Sequence, residues 1–162
     1  MSKTPVVTED GEILQRELTK SLNTLSTEVR FAIVYFNSQV RKFPGRGPAL
    51  PATNSNKGAA ENFVRSMPAA PGSCPMQALY DTLQFANRST AKHNVIIYIS
   101  DGWTDCPGYD PAQCAKEALE NVARWNTKKI PIHVIVTGLE VQEEFPKQLA
   151  RMTGGTYRRV TR

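Results

Sequence analysis

A chain of 162 residues, 40% hydrophobic and 22% charged, has the balance of one folded domain over 1–162 and not of a disordered or fibrous segment. Its net charge of +5 comes from scattered lysines and arginines, with YRRVTR the nearest thing to a patch, so no nucleic-acid partner is expected. No run approaches the roughly 20 apolar residues that span a bilayer, and the start lacks a signal-peptide pattern, so a cytoplasmic location is the default expectation.

Residues 1–11 read as disordered or as a strand stub around Pro5-Val6-Val7. In ILQRELTKSLNTL, Leu14, Leu18, Leu22 and Leu25 recur at helical spacing and predict one buried helix face. RFAIVYF (30–36) is a buried strand, and Asn37-Ser38 turns it into QVRKF, whose polar alternation suits an antiparallel edge. A proline- and glycine-rich loop is expected over 44–58, followed by a short helix in AAENFVRSM. GSCPMQALYDTLQFA opens another helix with Pro75 in its first turn, lined inward by Met76, Leu79, Tyr80, Leu83 and Ala86.

VIIYIS is an unbroken apolar run, the mark of a parallel strand covered on both faces. It ends in Asp101-Gly102, and open parallel sheets form their sites at strand carboxyl ends. Asp110-Pro111-Ala112-Gln113 is a helix start with cap, first-turn proline and third-position glutamine. IPIHVIVTG is a further buried strand, EEFPKQLARM a helix stopped by Gly154-Gly155, and TYRRV a short last strand. Strands alternating with amphipathic helices predict an α/β fold. Parallel strands are expected near 31–36, 95–100, 131–137 and 156–160, with 39–43 antiparallel at one edge.

The chain has no G-x-x-x-x-G-K-[ST] phosphate loop and no G-x-S-x-G elbow, and TGGTY follows a helix, so it is no dinucleotide fingerprint. His93 and His133 stand alone in sequence and read as structural. Three cysteines with no C-x-x-C spacing argue against a structural zinc site, and a reduced state is the expectation. Cys106 and Cys114 should nonetheless lie close enough to pair, with Cys74 on the same rim. Cys74 also stands at a helix start, where the dipole favours thiolate, so a thiol enzyme using Cys74 is an alternative reading.

Taken in order, RFAIVYFNSQVRKFP, GSCPMQALYDTL, NVIIYISDG, IPIHVIVTG and LARMTGGTYRRV resemble successive blocks of a von Willebrand factor type A domain, from about residue 12 onward. The resemblance implies a Rossmann-like, mostly parallel sheet with an antiparallel edge strand and helices on both faces, in three layers. It also implies a metal-ion-dependent adhesion site at the strand carboxyl ends, where a protein partner's acidic group completes the coordination of a divalent cation. Carried over to this chain, the strand-end carboxylate falls on Asp101, and the loop threonine falls on Cys74 of Gly72-Ser73-Cys74, with Ser73 beside it. The family's first loop, Asp-x-Ser-x-Ser after the first strand, has no counterpart in MSKTPVVTEDGE, so the chain reads as N-terminally incomplete. Magnesium requires hard oxygen ligands, which a cysteine sulfur replaces poorly.

The resemblance therefore implies a non-enzymatic protein-interaction domain with a degenerate metal site. Mg²⁺, Mn²⁺ or Ca²⁺ is expected only if the missing first loop is supplied. A protein partner is expected on loops 72–75, 101–110 and 137–144. Trp103, Asp105 and Tyr109 are candidate contacts, the two aromatics serving either as interface anchors or to pack the loop on the sheet. Loss of a central first strand implies possible self-association through the open sheet. A metal-independent structural or regulatory piece of a larger assembly is the other reading.

Overall fold

The order of elements follows the expected alternation, with the helices split unevenly between the two faces of a small parallel sheet. A computed structural model describes residues 9–67, 72–138 and 140–161. Helix α1 (Glu9–Asn23) leads into strands β1 (Arg30–Phe31), β2 (Ile33–Phe36), β3 (Val40–Phe43) and β4 (Leu50–Pro51). Helices α2 (Asn54–Arg65) and α3 (Pro75–Arg88) follow, then β5 (Ile96–Ser100), α4 (Pro111–Trp125), β6 (Ile132–Thr137), α5 (Glu144–Thr153) and β7 (Tyr157–Val160). Strands β5, β6 and β7 form the parallel sheet in that order, with Ile96 opposite Ile132 and Val134 opposite Tyr157.

One face of this sheet carries α3, α4 and α5. Leu79 and Leu83, Ala118 and Val122, and Phe145, Leu149 and Ala150 close over Ile96 and Tyr98 of β5 and over Ile132, Val134 and Val136 of β6. α1 lies against β5 and β6 and packs on α2, and a smaller core forms from Leu22, Phe31, Ala52 and Ala60. The fold is thus the expected three-layer α/β/α arrangement. Central β6 is covered on both faces: Ile132, Val134, Ile135 and Val136 are all buried. That is why its sequence is apolar without alternation.

β5 is not covered on both faces as expected, since Ile97 is exposed, and Tyr80 of α3 is exposed rather than inward-facing. Three further expectations need correction. Residues 31–36 do not join the parallel sheet among the described residues. They split at Ala32 into β1, paired antiparallel with β4, and β2, paired antiparallel with β3. β5 has β6 as its one strand neighbour among the described residues, and β2 meets it through side chains, the Phe36 and Tyr98 rings stacking at 5.7 Å. The flanking strands do not close on each other through backbone hydrogen bonds. The stub expected around Pro5-Val6-Val7 lies outside the described residues.

The second correction is at residues 44–58, which are not one loop. They contain β4, and α2 begins at Asn54 because the Thr53 hydroxyl accepts the Asn56 N–H at 3.2 Å, a cap the proline-rich composition masks. The third concerns α1, where Leu14 and Leu18 are only half-buried and Ile13 and Glu17 are fully so. Leu22 is buried as expected, so the buried face takes in part of the leucine stripe and, beside it, a charge with partners. Glu17 accepts from Lys20 at 2.9 Å and from Arg158 of β7 at 3.0 Å.

Candidate functional site

The carboxyl end of β5 is held by its own polar groups. The Ser100 hydroxyl accepts the Gly102 N–H at 2.8 Å, and Asp101 Oδ1 accepts the Trp103 N–H at 3.1 Å, which bends the chain away from the sheet. The Asp101 carbonyl accepts the Gln142 N–H at 3.0 Å, which ties this loop to the segment before α5. The approach needs a glycine: at φ +85 a Cβ on Gly102 would lie 1.8 Å from the Gln142 oxygen. Burial pushes the Tyr98 phenol far above its ordinary range; Ser100 offsets part of this and the charge of Asp101 adds to it. The phenol oxygen is buried and meets no partner in hydrogen-bond geometry among the described residues.

Neighbouring segments lock onto this loop. The Asp105 N–H donates to the Ser73 carbonyl at 3.1 Å and the Cys74 N–H to the Asn37 carbonyl at 3.3 Å, which joins the β2–β3 turn, the loop before α3 and the loop after β5. The Thr104 hydroxyl, buried, donates to the Pro111 carbonyl at 2.8 Å and anchors the start of α4. Asp110 caps α4 as expected, its carboxylate accepting the Gln113 N–H at 3.0 Å.

The expected site residues thus fall on one rim with different surroundings. Asp101 is half-buried at the strand end, while Ser73 and Cys74 are half-buried in the adjoining loop. Trp103 is 40% exposed, and its indole N–H donates to the Glu140 carbonyl at 3.2 Å, so it pins the loop before α5 and still shows a face to solvent. Tyr109 and Asp105 are exposed on the same loop. His133 is bonded to Thr156, its ring nitrogen 2.9 Å from the hydroxyl, in keeping with a structural role.

The three cysteines converge here. Cys74 and Cys106 have Cα atoms 4.5 Å apart, and Cys106 and Cys114 are at 6.1 Å, within the roughly 7 Å that pairing requires. Among the described residues, theirs is the cluster of thiol, imidazole and carboxylate groups whose ligating atoms lie within 4.8 Å of one another. Motif spacing misses it because the ligands come from three segments that only folding brings together. Its donors are soft and suit neither the ligand type nor the octahedral geometry of Mg²⁺. A set of three sulfurs does not fit a magnesium ion.

The model of the von Willebrand factor type A domain matches residues 9–159, and the chain belongs to that family. Among solved structures it is similar to a von Willebrand factor type A protein from Catenulispora acidiphila, at 18% identity and TM-score 0.74, over 94% of this chain and 34% of that one. It is similar to the conserved hypothetical protein BatB from Bacteroides thetaiotaomicron, at 17% identity and TM-score 0.65, over 97% of this chain and 85% of that one. It is also similar to the pilus adhesin SpaC from Lactobacillus rhamnosus GG, at 12% identity and TM-score 0.73, over 94% of this chain and 26% of that one. At these identities the likeness is one of fold, and the chain spans about a third of the Catenulispora protein. No curated protein matches it in sequence. Among the described residues, no helix is long and apolar enough to cross a membrane.

Proposed function

We propose that this chain is a non-enzymatic protein-interaction domain whose adhesion site is degenerate, and that it docks a protein partner without magnesium. The observation that carries the reading is the rim itself. Asp101 has its carboxylate engaged by the Trp103 N–H, and the position onto which the family resemblance carries the loop threonine is Cys74, whose sulfur lies in a cluster with two others. The contact surface comprises the loops at 72–75, 101–110 and 140–143, with Trp103 and Tyr109 as aromatic anchors and Asp105 between them. Half-exposed aromatics on a hydrogen-bonded loop lose little freedom on binding, which favours them as anchors.

Two measurements test it. Calorimetry with Mg²⁺ and Mn²⁺ is expected to show no one-to-one binding; sub-millimolar binding that vanishes in Asp101→Ala would establish an intact site instead. A photo-crosslinking residue at position 103 or 109, in cells of the native host, is expected to trap a partner that a crosslinker at Lys128 does not. Equal trapping from both positions would overturn the assignment of this rim.

A second reading, association between copies, is favoured by β5, which has a strand neighbour on one side only among the described residues and carries Ile97 45% exposed. An unpaired strand edge with an apolar side chain is a template for another strand.

A further inference from the structure

Cys74, Cys106 and Cys114 belong to the loop before α3, the loop after β5 and the first turns of α4, yet their sulfurs all lie within 4.8 Å of one another. A sulfur forms one disulfide at a time. Cys106, in bonding contact with both others, can therefore pair with Cys74 or with Cys114 but not with both. Oxidation always leaves one thiol over, whereas a shared cation uses all three.

We propose that Cys74, Cys106 and Cys114 form a three-thiolate binding site for a soft d10 cation, Cu⁺ in trigonal coordination or Zn²⁺ completed by water. The site goes beyond the docking reading and does not depend on it. Thiolate ligands select such cations over magnesium or calcium. The ligands are also placed before any ion arrives. Asp105 N–H to Ser73 carbonyl holds the loop of Cys74 to that of Cys106, and Thr104 hydroxyl to Pro111 carbonyl holds the same loop to the helix of Cys114.

The electrostatics point the same way. Cys74 is the N-cap of α3 and its side chain makes no capping hydrogen bond, while Cys114 is the fourth residue of α4. Side chains in a helix lean toward its N-terminus, so two positive helix ends face one cluster and favour the deprotonated sulfurs. Cys106 and Cys114 are buried and Cys74 is half-buried, which leaves one side open for entry of the ion and for a water on zinc. On binding, each thiol passes its proton to solvent and forms one sulfur–metal bond, and no electron changes hands.

The test uses the full chain, reduced and kept anaerobic, titrated with Zn²⁺, with Cu⁺, and with Co²⁺ as a spectroscopic stand-in. One ion per chain is expected, with proton release, thiolate-to-cobalt charge-transfer absorption and protection of all three thiols from alkylation. Zinc binding selects the water-completed site, and copper binding alone selects the trigonal one. Cys74→Ser, half-buried, and Cys114→Ser should each lose stoichiometric binding and expose the remaining thiols to alkylation. Circular dichroism shows whether a variant has folded; if it has not, the wild-type cobalt spectrum and stoichiometry decide alone. The proposal is overturned if no one-to-one complex forms or if the thiols alkylate at unchanged rates with the ions present. A chain that keeps a disulfide under reductant and takes up no ion overturns it equally.

Discussion

Glu17 is 1% exposed, and α1 can bury its carboxylate only because Lys20 and Arg158 reach it. The hydrogen bond from Lys20 is the larger influence and holds the carboxyl below its ordinary value of 4.5 against the opposing effect of burial, with Arg158 assisting. Because the folded-state value lies below the unfolded one, this stabilisation is complete above the ordinary value and is lost as pH falls through the lowered one. Glu17→Gln should cost about 1–3 kcal/mol at neutral pH and flatten the acid limb of stability, as read from urea unfolding at a series of pH values. Tyr157 offers a spectroscopic counterpart. Burial and its hydrogen bond to Glu143 push its phenol up to about 12. Ultraviolet titration should resolve this tyrosine, and Glu143→Gln should lower its value part of the way, since burial is the larger cause and remains. At Gly102 the added methyl would meet backbone, which cannot swing aside. Gly102→Ala should therefore cost more than about 3 kcal/mol, read from the shift in denaturation midpoint.

The elements that were legible in sequence are those whose signals are local. Asp110, Pro111 and Gln113 announce α4 within four residues, and the structure has the cap where those residues put it. Asp110→Ala should remove about 1 kcal/mol, measured by the same unfolding, because one helical N–H loses its acceptor. The α5–β7 connection is legible as Gly154-Gly155, but why two glycines are needed is not. A Cβ on Gly155 would sit 1.8 Å from the Ile132 carbonyl oxygen, a contact with a strand far away in sequence. Residues 30–36 show the limit of local signals. The turn at Asn37-Ser38 announced the antiparallel partner at 40–43, but their apolar run fits a parallel strand or an antiparallel one, and the pairing with 50–51 was decided by a neighbour that periodicity does not encode.

For the whole molecule, the two candidate sites differ in what made them visible. Asp101 could be placed from sequence because a strand end followed by Asp-Gly is a local pattern. The cysteine cluster could be anticipated as a shared rim but not as a ligand set. Its three members stand 32 and 8 residues apart, and their approach depends on how α3 and α4 pack on one face. The edge of β5 carries the prediction at this scale. Sedimentation should show the average mass rising with concentration, and Ile97→Lys should suppress the rise by placing a charge on the exposed edge. A mass that stays monomeric at every concentration would rule out association through β5.

The order of strands and helices, the α4 cap and the position of Asp101 at a strand end were determined by the sequence alone, because apolar periodicity, proline and capping side chains act within a few residues. The pairing of β1 with β4, the buried charge of Glu17, the approach of Gly155 to β6 and the meeting of three sulfurs were decided only by tertiary structure. Each depends on contacts between segments distant in the chain, and such contacts leave no periodic trace in either partner.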